Sequence, residues 1–228
     1  MVTHSLRFRR SSFSLVVAIA AIMSVLFCVN PAGAADASAA QSFVQRNVDR
    51  ANAILDNATL PAEQRRMEFG QLMLSMTDTH RIGVFALGQY ANGATPEQIS
   101  AFQNAFTDYA TAAYDSRLDT LKGGRITVTG ATMRGPDDFV VNAEMTRPAD
   151  AGNHEPLKIA FRVRSEPDGR FVLTDMQFEG VWLAISERAD FTAFLQQHNG
   201  NIAALTDNLR AKAQETLSAA ARGSRSTG

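Results

Sequence analysis

His80, His154 and His198 are the side chains best suited to metal binding or acid–base work in the chain beyond its N-terminal segment. No two of them stand at the four-residue spacing that puts a ligand pair on one helical face, and no acid cluster adjoins them. Neither a metal site nor a cofactor is therefore expected. No Gly-x-Ser-x-Gly elbow occurs, and no serine, histidine and aspartate are set apart by local context, so hydrolase chemistry has no positive indication. Gly123-Gly124 lacks the Lys-Ser/Thr of a phosphate loop and reads as a helix stop. Asp137-Asp138 reads as a turn, and Glu179 beside Gly180 as a carboxylate at a strand end. The expectation is a protein that is not an enzyme.

Binding chemistry has more to work with. Arg162 and Arg164 share the polar side of one strand with Lys158, a set that could hold an anionic headgroup, face an acidic partner or simply be solvated. Met67, Met73 and Met76 supply flexible thioethers that suit a plastic core or a cavity accepting varied apolar chains.

The composition limits the partners. Of 228 residues, 45% are hydrophobic, 20% charged and 8% aromatic, the profile of an ordinary globular protein. A formal charge of −1 gives no basic excess for a nucleic-acid partner. Residues 1–34 read as an export signal: basic Arg7, Arg9 and Arg10, an apolar run from Phe13 to Cys28, then Ala32-Gly33-Ala34 before the expected cleavage. The run is shorter than a membrane span, and Phe13 is displaced from the place that follows a twin-arginine pair, so ordinary secretion of a soluble product to the periplasm is expected. Removing the segment takes away three arginines and the single cysteine, leaving 19 basic against 23 acidic side chains. The product can use neither a disulfide nor a thiolate, and its stability must come from packing.

Helices and strands are segregated along the chain, which predicts an α+β fold. Phe43, Val44, Val48, Ala51, Ile54 and Leu55 recur at helical spacing; Pro61 opens a second helix through Met76; Asp78 caps a third carrying Ile82 and Phe85 and ending at Tyr90–Gly93. Thr95-Pro96-Glu97-Gln98 is a capping box with Pro at the first helical position, and a long helix with Phe102, Phe106 and Tyr109 follows. From Arg125 the period becomes two. Strands are predicted around Ile126 and Val128, Phe139–Met145, Leu157–Val163 and Phe171–Gln177, with further strand from Phe178 to Ile185 bent at Gly180, and short turns make neighbours antiparallel. Helices over Ser186–His198 and Asn201–Ala221 follow, and the small polar residues from Ala220 to Gly228 predict a disordered tail.

Ile82-Gly83-Val84-Phe85-Ala86-Leu87-Gly88-Gln89-Tyr90, with Ala94-Thr95-Pro96-Glu97-Gln98 and Phe102, resembles the central helical signature of the MlaC family, also called the toluene-tolerance family of exported lipid carriers. Asp175-Met176-Gln177-Phe178-Glu179-Gly180-Val181-Trp182-Leu183, then Glu187-Arg188-Ala189-Asp190-Phe191, resembles that family's strand-to-helix segment. Asn199-Gly200 with Ile202, Leu205 and Leu209 resembles its closing helix. Tyr90-Ala91-Asn92 stands where members often carry a Trp-Arg pair, and Trp182 where a small serine is common. The resemblance runs over about residues 40–212, leaving 213–228 as a helix end and tail.

It implies N-terminal helices packed on a curved, mainly antiparallel sheet with C-terminal helices, enclosing an apolar lipid cavity. It also implies a periplasmic carrier, expected to be a monomer, that moves phospholipid between an outer-membrane lipoprotein complex and an inner-membrane ABC transporter complex. Phe85, Phe106, Tyr109, Val141, Ile159, Phe161, Val181 and Leu183 are the candidate lipid-lining residues, and each would serve equally in a filled core. A hopanoid is an alternative cargo. A ligand-free envelope interaction module is the alternative from another class.

Overall fold

A computed structural model describes residues 31–121, 124–146 and 155–226. The apolar run of the export signal, His154 and Gly123 lie outside these residues. Among the described residues six α-helices and five strands follow one another as α1 (Pro31–Asp56), α2 (Ala62–Met76), α3 (Thr79–Leu87), α4 (Pro96–Leu121), β1 (Arg125–Gly135), β2 (Asp138–Thr146), β3 (Leu157–Ser165), β4 (Phe171–Phe178), β5 (Val181–Trp182), α5 (Leu183–Gln197) and α6 (Ile202–Ser226). The fold is α+β, as expected.

The strands form a meander in the order β1-β2-β3-β4-β5, every neighbour antiparallel. Two-residue alternation sets which side chains face the helices: Phe139, Val141, Ala143 and Met145 of β2 are buried, and opposite them stand Val163, Phe161, Ile159 and Leu157 of β3. The other face carries exposed Asn142, Glu144, Lys158 and Arg162. Register shifts at Val128/Gly130 and Met133/Gly135 in β1, and at Arg162/Val163 between β3 and β4, are bulges that bend and twist the strands.

Local signals account for most boundaries. The Asp78 carboxylate accepts the Arg81 N–H at 2.9 Å and starts α3. Thr95 and Gln98 exchange the two bonds of the capping box at 2.9 and 3.3 Å and start α4. α3 stops at Leu87, earlier than the sequence implies, because Gly88 takes φ +56° and Gly88–Gly93 tightens into a 3-10 turn.

One stretch departs from expectation. Phe178–Ile185 is not continuous strand: Glu179 and Gly180 take φ +46° and +86°, a tight turn leads into two-residue β5, and α5 begins at Leu183. The helix starts early because its first donors have a partner from another element. Asp175 on β4 accepts the Ala184 N–H at 2.9 Å, a cap that no residue near Trp182 provides and that local sequence does not reveal. α6 continues to Ser226, five residues past the expected end.

Two apolar clusters result. One lies between the sheet and α1 and α2, and gathers Val44, Val48, Phe69, Leu72, Val141 and Phe161 among others. The second joins α3, α4, α5 and α6 around Leu87, Phe102, Phe106, Phe191, Leu195 and Leu209. Phe102, Phe106 and Phe191 interlock with ring centroids 5.9 to 6.2 Å apart, so this part is filled by aromatic packing.

Candidate functional site

Between the sheet and the first two helices lies a cavity of about 310 Å³. Its roof is α1, which presents Phe43, Val44, Val48, Ala51 and Leu55 at helical spacing, and α2, which adds Phe69, Met73 and Met76. Its floor is the inward face of the sheet: Ile126, Met145, Leu157, Ile159 and Phe161, continued by Leu173, Met176 and Phe178 on β4. Leu183 at the start of α5 closes one side.

The sequence explains why the roof stands off the floor. Phe171 packs against Phe43 of α1 and against Phe139 of β2, each ring centroid 6.0 Å away, and props α1 at that end of the sheet. Further along, the facing positions are small or flexible, with Ala51, Gly124 and the methionines, so the separation is not filled.

Asn47 and Glu179 are the polar side chains of the lining. The Asn47 amide donates to the Phe43 carbonyl at 2.9 Å. Glu179 is the one exposed lining residue. Its carboxylate accepts the Lys158 N–H at 2.6 Å, and its own N–H donates to the Lys158 carbonyl at 3.0 Å, fixing the rim to β3. Asp175 on β4 does not line this cavity; it is 7% exposed, with Oδ1 accepting the N–H groups of Met176 and Ala184. Burial pushes its carboxyl above the ordinary carboxylate value, outweighing those hydrogen bonds and the attraction of Arg162.

The structure distributes the eight candidate residues unevenly. Ile159, Phe161 and Leu183 line this cavity. Phe106 and Tyr109 line a smaller one between α2, α3, α4, β4 and α5, where the Tyr109 hydroxyl donates to Glu187 at 3.2 Å. Val141 is fully buried in the core beside the cavity and does not line it.

Phe85 and Val181 are corrections, because they are 40% and 55% exposed and line neither cavity. On α3 it is Ala86 and Leu87 that turn inward, leaving the Phe85 ring outside with the Arg188 guanidinium 4.9 Å from its centroid. Val181 would face inward on a continuous strand, but the Glu179–Gly180 turn breaks that parity.

Other sequence readings also change. Arg162 and Arg164 stay on the solvent side of the sheet, each paired with an aspartate: Arg162 grips Asp138 through two bonds of 3.0 and 2.8 Å, and Arg164 pairs with Asp137. Of the methionines, Met73 and Met76 line the cavity while Met67 is 56% exposed. The α1 contribution was visible as an amphipathic stripe, and only Asn47 within it could have hinted that it borders more than a core. Among the described residues no cluster of His, Cys, Asp or Glu could hold a metal, and no helix is long and apolar enough to cross a membrane.

Residues 45–211 match the family model for the MlaC protein. The chain belongs to the MlaC family. Its members are lipid-binding carriers. A solved structure of a phospholipid-binding protein from Ralstonia solanacearum, in complex with a phospholipid, is similar at 21% identity with a TM-score of 0.66, over 78% of this chain and 98% of that one. The likeness extends to the whole α+β architecture. No curated protein sequence matches the chain.

Proposed function

We propose that this MlaC-family protein is a periplasmic carrier of glycerophospholipid, which takes acyl chains into the cavity between α1, α2 and the sheet. It works without chemistry and as a monomer, collecting lipid at an outer-membrane lipoprotein complex and exchanging it with an inner-membrane ABC transporter complex. The observation that carries this reading is the cavity, apolar except for Asn47 and Glu179 and bordered by the exposed Glu179 side chain. A headgroup left at that rim stays in water while the chains leave it. The phospholipid held by the Ralstonia protein and the export signal at residues 1–34 support the same reading.

Physical chemistry explains the need for a carrier. Each methylene moved from water to an apolar site contributes about 0.8 kcal/mol, so two chains of about 15 methylenes favour burial by roughly 24 kcal/mol gross. The cavity, at about 310 Å³, lies at the low end of ligand-site volumes, so two full chains require the roof and floor to separate further. Met73, Met76, Met145 and Met176 are the lining side chains best able to follow that change.

Native mass spectrometry with lipid extraction tests the proposal, on protein purified from a periplasmic fraction without detergent. The expected result is a one-to-one complex with a diacyl phospholipid. A hopanoid in its place would keep the carrier and change the cargo. Reproducibly empty protein that also takes no lipid from vesicles would overturn the reading in favour of an interaction module.

A further inference from the structure

The lipid cavity shares a partition with its smaller neighbour. Met73, Leu173, Met176 and Leu183 line it and also line the second cavity, of about 140 Å³, beneath α3, α4 and α5. The partition has a fixed side and an adaptable one. Leu173 is tied down because its carbonyl accepts the Asp78 N–H at 3.0 Å and its backbone bridges to Thr77. Leu183 is held at the start of α5 by the Asp175 cap on Ala184. Met73 and Met176 contribute long, unbranched thioethers that can change rotamer without moving the backbone.

The second cavity's own polar groups are largely engaged. Asp175 Oδ1 accepts two N–H groups, and Tyr109 and Glu187 bond each other. The Thr77 hydroxyl is a buried polar atom with no hydrogen-bond partner among the described residues, and with Thr79 it interrupts a wall that Leu74, Ile82, Phe106, Ala110 and Ala113 otherwise build. Such a chamber has no counter-charge for a headgroup phosphate, whereas the end of a hydrocarbon chain fits its walls.

Resting on the carrier reading above, we infer that the second cavity is a site for acyl-chain ends, entered by displacing Met73 and Met176. It thereby sets the longest chain the protein prefers. The first cavity accepts any chain; only chains that outrun it gain from the second.

Ala110 lines the second cavity and not the first, so Ala110→Phe fills the proposed site from α4 and leaves the lipid cavity's lining intact. Ala113→Leu is a smaller filling from the same helix, at a position that also lines the second cavity and not the first. The measurement is calorimetric binding of saturated lysophospholipids from lauroyl to stearoyl, below their micelle-forming concentrations. In the unaltered protein, affinity should climb through the whole series, on the order of fourfold for each methylene that finds apolar surroundings. In Ala110→Phe the lauroyl lipid should bind as before, while the climb stops before stearoyl. Should circular dichroism show that variant unfolded, Ala113→Leu carries the test with the same expected truncation. A folded variant whose affinities parallel the unaltered protein from lauroyl to stearoyl would overturn the chain-end site. If the unaltered protein binds no member of the series, the carrier reading itself fails.

Discussion

Ala51→Phe is the sharpest test of whether the space under α1 is a working site. Ala51 sits on the buried face of α1, 7% exposed, and lines the larger cavity. In a close-packed core an added ring costs about 1–3 kcal/mol through strain. Here the ring enters a volume of about 310 Å³, so the folded state should lose little stability and gain some burial. Lipid binding should respond in the opposite direction. A phenyl group displaces about four methylenes of bound chain at about 0.8 kcal/mol each, so affinity should fall by ~3 kcal/mol, roughly two hundredfold. The assay is transfer of labelled phospholipid from donor vesicles, read beside the thermal midpoint of each protein. Ala105→Phe is the control: Ala105 is 1% exposed within the filled aromatic cluster of α4, and the same added ring should there lower stability. If Ala51→Phe takes up and retains lipid like the unaltered protein while remaining folded, acyl chains do not occupy this cavity.

Arg162→Ala should cost about 1 kcal/mol or less in urea unfolding and leave lipid transfer unchanged, because its partner is Asp138 at a half-exposed ion pair rather than a headgroup. Phe85→Ala should likewise leave transfer unchanged while losing about 0.5–1 kcal/mol from the Arg188 contact; a transfer defect in this variant would mean that α3 takes part in lipid handling or docking. Asp175 makes a pH-dependent contribution whose sign follows from burial. Its carboxyl titrates above its ordinary value of 3.8 in the folded protein, so the folded state holds that proton more tightly than the unfolded one. Its favourable contribution is complete below that ordinary value and is lost as pH rises through the raised one. Asp175→Asn should therefore flatten the decline in thermal midpoint across that window, and an unchanged pH profile would show that Asp175 is not the group responsible.

The sequence was most readable where one local rule decided the outcome. Alternation over Phe139–Met145 and Leu157–Val163 predicted both the strands and their inward faces, because a half-buried sheet forces period two. Thr95 with Gln98, and Asp78, marked helix starts by chemistry contained within four residues. The start of α5 was not readable in that way. Its cap comes from Asp175, nine positions before the N–H it accepts and on another element, so the turn at Glu179–Gly180 was mistaken for a bend in a longer strand. That single error carried Val181 into the candidate site.

The remaining difficulty is that a cavity is not a property of residue types. Phe106 and Phe161 were equally plausible lining residues, each 5% exposed, yet Phe106 is interlocked with Phe102 and Phe191 whereas Phe161 faces the larger open volume. What separates them is the distance between the layers behind each ring. On one side, α3, α4, α5 and α6 close on three interlocked phenylalanines and leave a cavity of about 140 Å³ beside Phe106. On the other, Phe171 wedges between Phe43 and Phe139 and holds α1 away from a sheet whose facing positions, Ala51, Gly124 and the methionines, are too small or too pliable to follow. Hydrophobic patterning specifies that both faces turn inward and leaves open whether they meet. The hollow that would admit lipid depends on a wedge at one end of the sheet combined with small residues further along. This argument makes Phe171 a determinant of binding although it lies outside the cavity lining. Phe171→Ala should let α1 settle onto the sheet and reduce lipid uptake, at a cost of about 1–3 kcal/mol in stability because the ring is partly buried, measured by vesicle transfer and urea unfolding together. Full uptake by a destabilised but folded Phe171→Ala protein would show that the stand-off of α1 has another cause.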